Sequence, residues 1–280
     1  MSALDIARLM NREDRCPAEA VRRVLPALAR GVDRIVTSLR GGGRLFFVGA
    51  GTSGRLGVLE AAECPPTFGT PPRMVQAIMA GGRGAVFRSR EGAEDDAHAG
   101  RLAGRRVRAG DVVVGISASG ITAFVRAVLL AARRTGARTV LVSCNPRVPR
   151  GLAEVVIAPT PGPEVVAGST RLKAGTTTKL VLNTLTTASM VRLGKVYGNR
   201  MIDLQPRSRK LRARAVRLVE EIAGVSRGRA RRALAAANGR ARLAIVMAHT
   251  GQAPRAAQAT LRRHDGNLRG FLAMAPRQHR

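Results

Sequence analysis

Apolar positions recur at helical spacing through residues 4–40. Val21, Val24, Leu25 and Leu28 form one series, and Val32, Ile35, Val36 and Leu39 continue it. This segment reads as helical, with Pro26 placed to kink or split it and Gly41-Gly42-Gly43 to end it. Beyond the glycines the pattern changes to short, mostly apolar runs. Residues 45–48 predict a buried strand, and residues 74–79, 111–116, 139–143 and 155–158 predict four more. A glycine-rich turn follows the first strand, and the apolar stretch Leu56-Gly57-Val58-Leu59 begins a helix that Cys64-Pro65-Pro66 should end. Residues 123–134 predict a helix between the third and fourth strands, and residues 174–193 a long one. The alternation implies an α/β fold, a doubly wound parallel sheet with helices on both faces. Residues 211–274 lack strand patterns. Gly224, Gly239, Gly251 and Gly266 punctuate short Ala/Leu-rich helices there, suggesting a small helical bundle. The expected organisation is a helical segment over 1–42 packing on the core, a sheet domain over 43–205 and a small helical domain over 206–280.

Ligands of a doubly wound sheet bind beyond the carboxyl ends of its strands. Two such ends carry hydroxyl-rich glycine loops. The first is Gly51-Thr52-Ser53-Gly54, where free helix-start amides and the hydroxyls of Thr52 and Ser53 suit a phosphate. The second is Ser117-Ala118-Ser119-Gly120-Ile121-Thr122, where Ser117, Ser119 and Thr122 can converge on one anion. One loop alone would read as an ordinary helix N-cap; two in one sheet favour a phosphate site. Gly49, Gly51 and Gly54 also match the G-x-G-x-x-G dinucleotide fingerprint. Residues 67–90 hold no Asp or Glu for the ribose, so only an NADP reading through Arg73 or Arg83 survives as a rival. No Walker A loop is present.

A third segment, Gly168-Ser-Thr-Arg-Leu-Lys-Ala-Gly-Thr176, opens the long helix. Its Arg171 and Lys173 either balance an anionic ligand or are surface charge, and Ser169 and Thr170 before the helix start favour the ligand. The acids are sparse enough to stand out. Glu60 and Glu63 follow the first glycine loop, and Glu91, Glu94, Asp95 and Asp96 form a second cluster that could equally decorate a helix N-terminus. If Glu63 and Glu94 meet, they could divide acid and base roles; spacing alone does not bring them together.

A length of 280 residues allows one large domain or two smaller ones. There is no Trp, and Tyr197 is the one Tyr. No apolar run approaches the roughly 20 residues of a membrane span, and the N-terminus lacks a signal peptide's apolar region. Cys16, Cys64 and Cys144 are too few and too scattered for a disulfide framework, which fits a reducing cytoplasm. Neither they nor the four His show metal-ligand spacing, and His279 lies in the C-terminal tail. No metal and no organic cofactor is expected. Residues 200–280 carry 19 Lys/Arg against 4 Asp/Glu, half of the net charge of +30. This excess is read as a solvated surface rather than a specific nucleic-acid interface, because aromatics able to stack on bases are nearly absent.

Several longer words now stand in one order: Phe47-Val-Gly-Ala-Gly-Thr-Ser-Gly-Arg-Leu-Gly57, Ala62-Glu-Cys-Pro-Pro-Thr67, Glu91-Gly-Ala-Glu-Asp95, Val113-Val-Gly-Ile-Ser-Ala-Ser-Gly120, Ser143-Cys-Asn-Pro146, the Gly168–Thr176 segment and Leu193-Gly-Lys-Val-Tyr-Gly-Asn199. Together they resemble the N-acetylmuramic acid 6-phosphate etherase family, built on the sugar-isomerase (SIS) fold, from about Leu4 onward. The resemblance implies a lyase of amino-sugar catabolism and cell-wall recycling. It would cleave the D-lactyl ether of its substrate to N-acetylglucosamine 6-phosphate and D-lactate, by elimination and then hydration. It implies Glu63 as the acid that protonates departing lactate, Glu94 as the base at C2, and Ser53, Ser117, Ser119 and Thr122 around the phosphate; the reading of the loops adds Thr52, Ser169 and Lys173 as binding candidates. It also implies a homodimer. The related glucokinase regulatory proteins supply the alternative, a noncatalytic sugar-phosphate sensor. Two departures are visible: the family's Ser-Gly-Arg-Thr-Pro is Ser119-Gly-Ile-Thr-Ala123 here, and its Ala-Gly-Thr-Ala-Gln-Lys is Ala174-Gly-Thr-Thr-Thr-Lys179. A Thr-Glu-x-x-Asn-type leader would be expected upstream of Leu4.

Overall fold

Three helices precede the first strand: α1 (Ala3–Glu13), α2 (Cys16–Arg22) and α3 (Leu25–Arg40). The computed structural model describes residues 1–203, 208–264 and 266–274; His279 lies outside them. Pro17 and Pro26 each occupy the first turn of a helix, where a missing N–H costs nothing, so the proline split falls at the start of α3. Ser2 and Asp5 form a capping box on α1. α3 buries Leu28, Val32, Ile35, Val36 and Leu39, the series that predicted it.

Five parallel strands form one sheet: β1 (Leu45–Gly49), β2 (Val75–Met79), β3 (Val112–Ile116), β4 (Arg138–Val142) and β5 (Val155–Ile157). Their order is β2-β1-β3-β4-β5, with Leu45 opposite Val75 on one side and Val112 on the other. The connecting helices are α4 (Gly51–Phe68), α5 (Gly84–Phe87), α6 (Ala97–Gly104) and α7 (Ala123–Arg134), and α8 (Lys173–Arg192) follows β5. Each residue of β1 and β3 is buried, because helices cover both faces and alternation is lost. Phe46, Val48, Val113 and Leu141 pack with Phe124, Val125, Val128 and Leu129 of α7. On the other face, a Cβ added to Gly31 of α3 would stand 3.1 Å from both Ile157 and Leu185, and one on Gly57 of α4 would stand 2.8 Å from Phe47. Each buried Phe contributes about 1.5–3 kcal/mol over exposure.

At the amino ends of β1 and β3, Asp111 accepts from the Arg44 guanidinium (2.7 Å) and from the amides of Arg44 and Arg108 (2.9 Å each). Burial alone would raise the Asp111 pKa, but these hydrogen bonds hold it below the usual carboxylate value.

α4 departs from expectation at both ends. It starts at Gly51, so the glycine loop is its first turn, and it continues through Pro65 and Pro66 to Phe68. The prolines fall in the last turn, and the true stop is Gly69 in the left-handed region (φ 62°), whose N–H donates to Pro65 O.

The chain clusters into two compact units, Met1–Glu63 with Pro71–Ser189, and Cys64–Thr70 with Met190–Arg280. The N-terminal helices fall in the first unit with the sheet, and the second unit takes in Cys64–Thr70 as well as the C-terminal part of the chain. It contains a hairpin of two-residue strands, β6 (Val196–Tyr197) and β7 (Arg200–Met201), which no periodicity announced. Five helices follow: α9 (Arg209–Ala223), α10 (Arg227–Ala236), α11 (Ala241–Thr250), α12 (Pro254–Arg263) and α13 (Leu268–Met274). Their core is built on Val219, Ala230, Ala244, Ile245, Leu261 and Phe271. Gly224 and Gly251 close α9 and α11 in the left-handed conformation. Among the described residues no helix is long and apolar enough to cross a membrane.

Candidate functional site

The strand order reverses between β1 and β3, and the crevice at their carboxyl ends is the switch point where such sheets hold ligands. Both glycine–hydroxyl loops stand there. β1 passes almost directly into α4, and this requires the glycines. A Cβ on Gly54 would lie 2.6 Å from the Gly49 carbonyl oxygen, while Gly51 supplies a φ of 53°. These demands account for the fingerprint-like spacing without a dinucleotide. The first bond of α4 runs from Gly54 N to Ala50 O (3.1 Å), so the amides of Gly51, Thr52 and Ser53 are the orphan donors of the helix start. Thr52 and Ser53 are half-buried beside them. Thr52 also neighbours the first turn of α8, its Cγ2 3.7 Å from where a Cβ on Gly175 would stand.

The second loop is tied to itself. Ser117 Oγ lies 2.8 Å from Thr122 Oγ1 and 3.5 Å from Ser119 Oγ, and accepts from Gly120 N (3.0 Å). The three hydroxyls are therefore brought together, as expected. Thr122 is the N-cap residue of α7, yet its side chain makes no capping bond. Asn145 braces the loop by donating to Ser119 O (3.0 Å). Ile121, where the family pattern has Arg, is 61% exposed.

Lys173 is placed differently from a free phosphate ligand. It is buried at the start of α8, and its Nζ donates to Glu13 at 2.6 Å. The hydrogen bond to Glu13 raises the Lys173 pKa and lowers that of Glu13. The amides of Lys173 and Ala174 donate to the Glu164 carboxylate at 2.8 and 3.0 Å, which supplies the charge this helix start favours. Ser169 is half-buried in the preceding turn.

Glu94 and Glu63 are both exposed. Glu94 borders a cavity of 150 Å³ with Gly51, Arg55, Ser89, Arg90 and Glu91. Its backbone carbonyl accepts from Phe124 N (2.9 Å), which ties the segment to the first turn of α7. Asp96, by contrast, caps α6 by accepting from Ala99 N (2.8 Å), the helix-terminal role open to that acid cluster. Glu63 lies ten residues after Ser53 on α4, roughly 15 Å along the axis. One chain does not bring it into the Glu94 cavity. Glu60 is buried, accepting from Lys179 Nζ and Thr186 Oγ1 at 2.7 Å each, a structural assignment. Among the described residues, no group of three or more His, Cys, Asp or Glu side chains could hold a metal ion.

Residues 27–133 match the model of the glucokinase regulatory protein N-terminal SIS domain. A protein of Symbiobacterium thermophilum named N-acetylmuramic acid 6-phosphate etherase is 54% identical over 248 residues, 88% of this chain and 83% of that one. The chain belongs to the N-acetylmuramic acid 6-phosphate etherase family. A second etherase, from Trichormus variabilis, is 49% identical over 98% of this chain and 90% of its own length. The likeness to a phosphoheptose isomerase of Francisella tularensis shows the fold alone: the TM-score is 0.51 at 15% identity, covering 68% of this chain and 100% of that one. The etherase resemblance and the SIS-type α/β fold are thereby established.

Within this etherase-family site, Arg55 and Arg90 went unmarked in the sequence. Arg55 donates to the carbonyls of Val86 (2.8 Å) and Ala85 (2.9 Å), fixing α5 beside the cavity. Arg90 packs on the Gly81–Gly84 turn and lines the same cavity. Their only signal was position, Arg55 within the first motif word and Arg90 just before the Glu91–Asp95 word.

Proposed function

We propose that this protein is a carbon–oxygen lyase that cleaves the D-lactyl ether of N-acetylmuramic acid 6-phosphate, acting in the cytoplasm in amino-sugar catabolism. The observation that supports this reading is the identity of about half to named etherases over nearly the whole chain, with the hydroxyls of Ser117, Ser119 and Thr122 gathered at one strand end and Glu94 lining a cavity with Gly51. The substrate phosphate rests on Ser53, Ser117, Ser119 and Thr122 and on the amides that open α4, with Thr52 beside them. Ser169 in the turn before α8 and Lys173 at its start border it; with Lys173 paired to Glu13, hydroxyls and amides do most of the holding. Glu94 takes the C2 proton. The electron pair forms the C2–C3 double bond and expels lactate oxygen from C3, with Glu63 delivering the proton it needs. Water then adds across the unsaturated aldehyde, restoring the C3 hydroxyl. No metal or organic cofactor enters these steps. The separation of Glu63 from Ser53 along α4 favours a homodimer in which a second copy's Glu63 completes the site.

D-lactate release from N-acetylmuramic acid 6-phosphate, measured for the wild type and Glu94→Gln, tests the reading. Release that falls by roughly 100-fold or more in the variant supports it. Saturable sugar-phosphate binding without release would instead favour the noncatalytic sensor, a reading the match to a regulatory protein's SIS domain keeps in play.

A further inference from the structure

A cavity of 870 Å³ lies wholly within the helical unit. Its floor is apolar, made by Val216, Leu234, Leu243 and Leu261. Four arginines line it: Arg212 of α9, Arg231 of α10, Arg242 of α11, and Arg240 in the turn before α11. Among the described residues Asp203 is the one carboxylate of the lining, and it is already occupied by Lys195 (3.3 Å) and by Arg242. Arg212 and Arg231 have no acidic partner among the described residues. Arg240 is held over the cavity by Ala237 O (3.2 Å) and Gln258 Oε1 (3.1 Å). Arg242 is 13% exposed and donates to the carbonyls of Gly266 (2.6 Å) and Gly194 (3.0 Å), yet its Nε is buried with no partner. A neighbouring hollow of 430 Å³ shares Arg240 and Gln258 and adds Arg255 and Arg262.

Positive charge thus converges on a concave, apolar-floored space, and neighbouring guanidiniums repel one another unless an anion joins them. We propose that this cavity is a second ligand site, taking a small phosphorylated metabolite with an apolar portion. Guanidinium forks match the oxygens of a phosphate, and the leucine floor suits the body that carries it. The volume falls in the range of small-molecule sites. A polynucleotide fits less well, because among the described residues the lining holds no aromatic side chain on which a base could stack. The etherase reaction plays no part in this argument, so the two proposals stand or fall separately.

Phenyl phosphate is the probe, titrated by calorimetry into the full-length protein at physiological salt. The wild type, an Arg212→Gln/Arg231→Gln double variant and Ser117→Ala are compared. Both arginines are exposed, so the double variant is expected to fold, which circular dichroism checks. The expected result is a site whose Kd rises on the order of ten-fold or more in the double variant and is unchanged in Ser117→Ala. In the labelled wild type, amide resonances of Leu234, Asn238 and Leu243 should shift on titration, a readout that needs no variant. Binding lost only in Ser117→Ala, or no shift at those amides, would overturn the proposal. So would displacement of the probe by a 20-base-pair DNA duplex with a steep salt dependence, which would make the cavity part of a polyanion surface.

Discussion

The Lys173 ammonium and the Glu13 carboxylate meet at 2.6 Å across 160 positions of sequence, pinning the end of α1 to the start of α8. The pairing lowers the pKa of Glu13 and raises that of Lys173. A lowered acid stabilises the fold above its unfolded pKa and ceases to as pH falls through the folded value. A raised base stabilises below its unfolded pKa and ceases to as pH rises through the folded value. The Tm difference between wild type and Glu13→Gln should therefore be flat between about pH 5 and 10 and shrink on either side. A difference that grows below pH 4 would contradict the pairing.

Gly54 and Gly51 should respond oppositely to local space. A Cβ on Gly54 meets Met79 Sδ and the Gly49 carbonyl oxygen, and the carbonyl cannot move aside. Gly54→Ala should cost about 3 kcal/mol or more by urea unfolding. Gly51 has open space around it, and only its φ of 53° resists a side chain. Gly51→Ala should cost about 1–2 kcal/mol.

Ile121 leaves an exposed apolar side chain where the family pattern puts a guanidinium. On the etherase reading, Ile121→Arg should raise kcat/KM for the phosphorylated substrate by about ten-fold, since a charge-assisted bond contributes about 1.5–3 kcal/mol and exposure discounts it. Steady-state D-lactate release measures this; an unchanged or lower value would mean the loop no longer faces the phosphate.

Burial pushes the Cys144 thiol up to about 11, with the nearby Glu164 charge adding to the effect against a hydrogen bond from Thr178. At pH 8 roughly one molecule in a thousand carries the thiolate. Mass-mapped alkylation by iodoacetamide should label Cys144 slowly at pH 8, at a rate rising about ten-fold per pH unit until near 11.

The sheet was legible because its strands are covered on both faces, which leaves unbroken apolar runs at 45–48 and 112–114. The helix at 123–134 was equally plain, since α7 presents one buried stripe. α6 was not, and its glycines explain why. Gly100 and Gly104 read as breakers, yet a Cβ on either would stand 2.5 Å from α7, so they serve close helix packing. In the site, hydroxyls next to glycines at strand ends pointed to both loops. Nothing local could reveal that Glu13 would claim Lys173, or that Arg90 would fold over the Gly81–Gly84 turn beside Glu94. Those depend on contacts that sequence spacing does not encode.

The Gly51–Gly54 turn is made by glycines pressed against β1, not by a loose loop. On the etherase reading, its amides are held in place before any ligand arrives, so binding need not recover the entropy of ordering them. The same arrangement links recognition to integrity. On that reading, a change that loosens the contact between Gly54 and Gly49 costs stability as well as grip on phosphate, so drift in specificity is easier at the second loop, where Ile121 already stands apart.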